Sequence, residues 1–169
     1  METELGRAIA GYLKVMSSLR DPELRILKAH LLAEKEMTKY LEQELARPDS
    51  IPERVKFADR LWVARAITKP DQSEDWIWDA LGVLNKLRND LAHELDPPKH
   101  KKHWDTLRGL VKKSELWAEP GESATTAQRE SQILLIVCCE LSNRLTAKAI
   151  WAMQVESIKI RLRGDADKA

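Results

Sequence analysis

The chain is poor in the residues that punctuate or cross-link a fold. It has two cysteines, six glycines and seven prolines in 169 residues. The cysteines, Cys138 and Cys139, are neighbours inside an apolar run. Adjacent helical residues point about 100° apart, so a disulfide between them is geometrically poor. Neither a CxxC pair nor a Cys/His spacing suited to structural zinc is present. The pair reads as buried, reduced thiols. Excess charge is also lacking. Twenty-eight Lys and Arg against 27 Asp and Glu leave a formal charge of +1, which gives no global pull toward nucleic acid or a membrane. Binding to a polyanion therefore needs a local patch. The longest apolar stretch, Ile133 to Cys139, is far shorter than the ~20 residues of a bilayer span. The acidic start Met1-Glu2-Thr3-Glu4 does not fit a secretory signal. A cytoplasmic protein with no membrane association is expected.

What is present is helical periodicity in a chain that is 43% hydrophobic and 33% charged, a balance suited to one globular domain. A first helix is expected from about Leu5 to Ser17. A second opens at Asp21-Pro22, where Asp suits the N-cap and Pro the first turn, and stops before Pro48. Its apolar positions are Leu24, Leu27, Leu31, Met37, Leu41 and Leu45. A third opens at Ser50 to Pro52 and ends before Pro70, with Val55, Ala58, Leu61, Trp62 and Ala66 on one side. Ser73 caps a fourth, from Glu74 to about Leu95, buried along Ile77, Ala80 or Leu81, Leu84, Leu87, Leu91 and Leu95. Pro97-Pro98 ends it. A fifth runs from about Lys101 to Glu115, carrying Trp104, Leu107 and Leu110 or Val111. A loop follows at Ala118 to Ser123. The last helix starts at Thr125 or Thr126, runs past Trp151, and is central because it is apolar on most sides between Ile133 and Cys139. No strand alternation or internal repeat is visible. The expectation is an all-α, single-domain bundle of about five to six helices over 1–163, with a disordered tail at 164–169. Of the six tryptophans, Trp62, Trp76, Trp104 and Trp151 are expected in or at the core. Trp78 falls off the main stripe of its helix and suits an interface.

The fourth helix also carries a polar line, Asn85, Asn89 and His93, flanked by Arg88 and Asp90. The string Leu-Asn-Lys-Leu-Arg-Asn-Asp-Leu-Ala-His resembles the Arg-x(4–6)-His signature of the HEPN superfamily in its four-spacer form, with a polar residue after the arginine. The preceding segments, Leu27 to Glu34 and Val55 to Ile67, look like the mannitol operon repressor-like branch. The likeness covers roughly residues 24 to 117. It implies an HEPN-like bundle and, for many members, a metal-independent endoribonuclease, some acting as toxins or phage-defence effectors. By that resemblance His93 moves the proton as the RNA 2′-hydroxyl attacks the neighbouring phosphate, and Arg88 neutralises charge on the phosphate oxygens. Asn89 orients the imidazole or donates to phosphate. The products are a 2′,3′-cyclic phosphate and a 5′-hydroxyl.

Physical chemistry suits these assignments. Imidazole titrates near neutrality, and guanidinium stays charged and presents a fork of donors to phosphate. Five residues at about 100° each set Arg88 and His93 roughly 140° apart on an ideal helix, awkward for one phosphate. A homodimer that pairs two motif helices supplies two sets to a shared cleft. Lys99, His100, Lys101 and Lys102 form the dense basic cluster near the motif and are candidate RNA contacts. A solvated helix start is the alternative reading of the same run. No metal or cofactor is expected, because lysines in this run oppose a cation near His93, His100 and His103.

Two other readings stay open. Arg88 can be a salt-bridge partner and His93 a cation at a helix C-terminus. The fold then serves a non-catalytic regulator or adaptor of the mannitol repressor-like kind, or a plain helical interaction module. Toxin members silenced by a nucleotidyltransferase carry a tyrosine just before the histidine. Ala92 stands there in this chain, so control by that modification is not implied, while a cognate antitoxin acting by contact remains open.

Overall fold

Asp21 starts the first long helix, α1 (Pro22–Glu44): its Oδ1 accepts from the amides of Glu23 at 2.8 Å and Leu24 at 3.4 Å. These bonds satisfy donors that the first turn leaves unpaired. This computed structural model describes residues 11–12, 14, 19, 21–52, 54–68, 76–93 and 97–143, and for 93 and 97–99 the backbone alone. Among these residues every regular element is a helix. The expected first helix falls mostly outside them, with 11, 12 and 14 helical. Ser73, Glu74, Leu95, Trp151 and the 164–169 tail also lie outside the described residues.

The helix expected from Ser50 to Pro52 begins later, as α2 (Phe57–Ile67). Ser50 is instead the end of a single 3₁₀ turn, Pro48–Ser50, its amide donating to the Arg47 carbonyl at 3.1 Å. Pro52 then holds Ile51 extended, at φ −82° and ψ 118°, so no α-helix can continue there. α3 (Trp76–His93) follows, then α4 (Pro97–Val111), which starts four residues ahead of the expected Lys101. The proline pair that stops one helix begins the next, because proline is tolerated in a first turn. Helical residues 126–143 form α5. Its start is a reciprocal cap: the Gln128 amide donates to Thr125 Oγ1 at 3.2 Å, and Gln128 Oε1 accepts from the Thr125 amide at 2.8 Å.

α3 is the hub against which α1, α2 and α4 all pack. Ile77, Ala80, Leu81, Leu84 and Leu87 are fully enclosed on it, and Leu91 packs against the same core. α5 closes the bundle through Leu134, Val137, Cys138 and Leu141, and the Cys138 thiol points at the Ala29 carbonyl of α1 at 3.7 Å. Both cysteines are free and buried. Burial raises both thiol pKa values, that of Cys139 to about 11, which leaves them poor nucleophiles.

Two burial expectations are overturned. Leu24, Leu27 and Leu31 are 45%, 38% and 57% exposed, while Ile26, Ala29, Ala33, Met37 and Tyr40 face the core. The alanines decide this, because small side chains let the α1 backbone approach α3 and α5 closely. Likewise Trp62 is 70% exposed and Trp78 is enclosed, its ring 5.4 Å from that of Tyr40. On α2 the inward line is Phe57, Leu61 and Ala64. Trp62 lies one residue, about 100°, past that line, and Ala66 is also exposed.

Candidate functional site

The second half of α3 carries polar side chains on the flank that meets α1 and α4. Arg88 and Asn89 are half-buried there, and Arg88 Nη1 donates to Asn89 Oδ1 at 3.0 Å. In this bond Asn89 accepts through its side-chain oxygen and steadies the guanidinium. One turn earlier, Asn85 Oδ1 is hydrogen-bonded to His30 Nε2 of α1 at 3.1 Å. A carbonyl oxygen only accepts, so Nε2 carries the proton and Nδ1 is the basic nitrogen of the neutral ring. The imidazole also lies against Phe57 of α2, with centroids 4.3 Å apart and planes at 41°.

His30 is 6% exposed. Burial pushes its pKa below the ordinary 6.5, and the Arg88 charge acts in the same direction. The Asn85 bond and the Glu34 carboxylate pull the other way without reversing the shift. His30 is therefore a neutral imidazole near pH 7, within electrostatic reach of the motif arginine. Sequence reasoning missed it as a site residue. Its signal was a polar side chain four residues from Ile26, on the Ile26–Ala33–Tyr40 side of α1 and away from the leucines.

Asp90 turns to α4, where it accepts from His103 Nδ1 at 2.7 Å. This bond ties the motif helix to the helix with the basic cluster. In that cluster Lys101 and Lys102 are exposed and His100 is half-buried. The His93 and Lys99 side chains lie outside the described residues, so the pairing of Arg88 with His93 does not enter the geometry. Among the described residues no group of three His, Cys, Asp or Glu side chains could hold a metal ion. No described helix is long and apolar enough to cross a membrane.

Beside Leu91, one turn past Arg88, a cavity of about 710 Å³ opens between the starts of α1, α4 and α5. Its apolar wall is Ile26, Leu91, Trp104 and Ile133. Its polar wall includes His100, Lys101 and Arg108, so two of the expected RNA-contacting residues border it and Lys102 does not. Among the described residues, His100 Nε2 is buried without a hydrogen-bond partner. Two of the lining carboxylates are already engaged: Asp21 caps α1, and Glu130 pairs with Arg25 at 3.3 Å. The Glu130 pKa is raised by burial, an effect the Arg25 charge partly offsets.

Compared with family models, with characterised proteins and with solved structures, the chain has no significant match to any.

Proposed function

We propose that this protein is a metal-independent endoribonuclease of HEPN type, a cytoplasmic toxin or phage-defence effector working as a homodimer. The observation that carries the reading is the placement of Arg88. It sits half-buried on the motif helix, held by Asn89, one turn from a cavity bordered by His100, Lys101 and Arg108. A guanidinium fixed in this way presents donors to a phosphate without ordering a free side chain. His93 ends the same helix.

In the reaction, the imidazole of His93 takes the proton of the ribose 2′-hydroxyl. The 2′-oxygen bonds to phosphorus, the bond from phosphorus to the 5′-oxygen breaks, and that oxygen leaves with a proton given by the imidazolium of the second Arg/His set. Arg88 stabilises the charge on the non-bridging oxygens. A partner subunit's motif helix supplies the second Arg/His set that one helix presents awkwardly.

The test is cleavage of RNA by the full chain in excess EDTA. Positioned proton transfer contributes about 10²- to 10⁴-fold, so His93→Ala is expected to lower the rate by at least about 100-fold with helicity unchanged. Arg88→Ala should do the same. Cleavage that persists in both variants removes the assignment.

A second reading has its own observation. Trp62 is 70% exposed beside Val63, and Leu24, Leu27 and Leu31 form an exposed row on α1. Apolar groups gathered at a surface favour a protein partner such as a cognate antitoxin. A non-catalytic regulator or adaptor of the same fold would bind through such a face, leave RNA intact, and lose its partner on Trp62→Ser.

A further inference from the structure

We infer that Asn85 is a second ligand of the RNA phosphate held at Arg88, with His30 as the positioning residue that aims its amide. The inference rests on the ribonuclease reading and extends it, because Asn85 lies outside the Arg-x4-His motif.

Hydrogen-bond direction carries the argument. Asn85 Oδ1 accepts the proton of His30 Nε2 at 3.1 Å, and Asn89 Oδ1 accepts from Arg88 Nη1 at 3.0 Å. A side-chain amide has one oxygen that accepts and one nitrogen with two donors. Both oxygens are turned to donors of the chain itself, so what the two amides offer a ligand is N–H. Arg88 adds the remaining N–H groups of a guanidinium, which has no acceptor. Three side chains on one flank of α3 thus present donors, and they match a group rich in oxygen acceptors. His30 is 6% exposed and lies against Phe57, so packing fixes the ring and the ring fixes the Asn85 amide.

Charge makes that group an anion. Among the described residues no carboxylate pairs with Arg88. Two neighbouring acidic groups are engaged elsewhere: Glu34 stands 4.0 Å from Arg60, and Asp90 accepts from His103 at 2.7 Å. Asn85 also borders a hollow between α2, α3 and α4 whose charged lining is Arg65, Asp79 and Lys86. Arg65 and Asp79 pair at 2.9 Å, which leaves the exposed Lys86 as the remaining charge. The balance is positive.

Position allows one phosphate to meet both residues. Residues three apart on a helix hold their Cβ atoms about 5–6 Å from each other, a gap that a phosphate group can bridge. α2 runs antiparallel to α3, with the Leu61 side chain against Gly82 and Arg65 on Asp79. Its first residue, Phe57, therefore lies near the level of Asn85, and the Arg88 end of the flank extends past the start of α2.

The test combines RNA cleavage by the full chain with binding of a single-stranded oligodeoxyuridylate, which carries phosphates but no 2′-hydroxyl. Asn85→Leu is expected to lower the cleavage rate by about 10- to 150-fold, the range of a hydrogen bond to a charged group, and to weaken the deoxy strand. His30→Leu should lower both by less, and His30→Gln, which restores an N–H donor, should recover them. On the Asn85→Leu background His30→Leu should add no further loss, whereas a merely structural role would add one. In the wild type, the Asn85 side-chain amide protons should shift in NMR spectra as the deoxy strand is added, a readout that stands if Asn85→Leu unfolds. Amide protons that do not move, or a folded Asn85→Leu that cleaves and binds like the wild type, overturn the inference and leave the nuclease reading standing wherever the wild type cleaves. A double variant weaker than Asn85→Leu removes His30 from its role. If Asn85→Leu and Arg88→Ala both weaken the deoxy strand while RNA stays intact, the phosphate site stands and the nuclease reading falls.

Discussion

The two halves of α1 bury different mixtures of side chain. Toward its C-terminus Met37, Tyr40 and Leu41 are enclosed, at 0%, 1% and 3% exposure. Toward its N-terminus the enclosed residues include Arg25 and His30, while three leucines face outward. The C-terminal half holds the bundle mainly by non-directional burial, with Tyr40 bonded to Thr68 at 2.7 Å and the buried Glu36 paired with Lys39 at 2.8 Å. The other half is tied by directed bonds, Arg25 to Glu130 on α5 and His30 to Asn85 on α3. Directed bonds add less net stability than packed hydrocarbon, but they fix where polar atoms stand. The site residues cluster at the end where position matters more than adhesion.

The contrast breaks most sharply at Met37. Met37→Ala is expected to cost about 2–5 kcal/mol in urea unfolding, the range for emptying an apolar core position. Arg25→Ala should cost less, about 1–3 kcal/mol, by leaving a partly buried carboxylate without its cation. Water reaches Glu130, whose side chain is 20% exposed, and limits the loss. If the bond serves position rather than adhesion, the double variant Arg25→Met with Glu130→Leu should be at least as stable as Arg25→Ala. A double variant that loses the full sum of the two single changes would show the N-terminal half to be held like the other.

pH sharpens the same comparison. The folded-state pKa of His30 lies below 6.5, its ordinary value, so near neutral pH both folded and unfolded chains carry the ring uncharged. As pH falls below about 6.5 the unfolded chain takes up the proton first, and stability falls until the folded-state pKa is passed. The slope from this one group is at most about 1.4 kcal/mol per pH unit. His30→Leu should flatten the difference between pH 7 and pH 5.5 in thermal unfolding. Met37→Ala should lower both ends and leave the slope alone.

Much of this was legible in the sequence where one periodicity stood alone. On α3 the line Ile77, Leu81, Leu84 and Leu87 has no rival, and it is buried as read. The last helix starts within a residue of Thr125, as read, and the adjacent cysteines lie in a run too apolar to face water. On α1 two stripes compete, one rich in leucine and one that mixes Ile26, Ala29, Ala33 and Met37 with polar residues. Hydropathy favours the first; close backbone approach at the alanines selects the second. Trp62 and Trp78 exchanged expectations for a related reason, since ring size says nothing about which side of a short helix meets its neighbours. At the candidate site, Arg88 and Asn89 were singled out by a local motif. His30 was not, because its partner Asn85 is 55 residues away and only the packing of α1 on α3 joins them.

The smallest expected effect is on the outward face of α1. Leu31→Gln changes a side chain that is 57% exposed, and substitutions at such positions usually stay within about 0.5 kcal/mol. Thermal unfolding should therefore barely move, in contrast to Met37→Ala on the same helix. A loss above about 2 kcal/mol would mean that the leucine row is covered in solution. Sedimentation would then show whether the cover is a second copy, because a dimer built on that row would dissociate in the variant. A dimer that survives the substitution leaves its interface elsewhere, as the reading with paired motif helices requires.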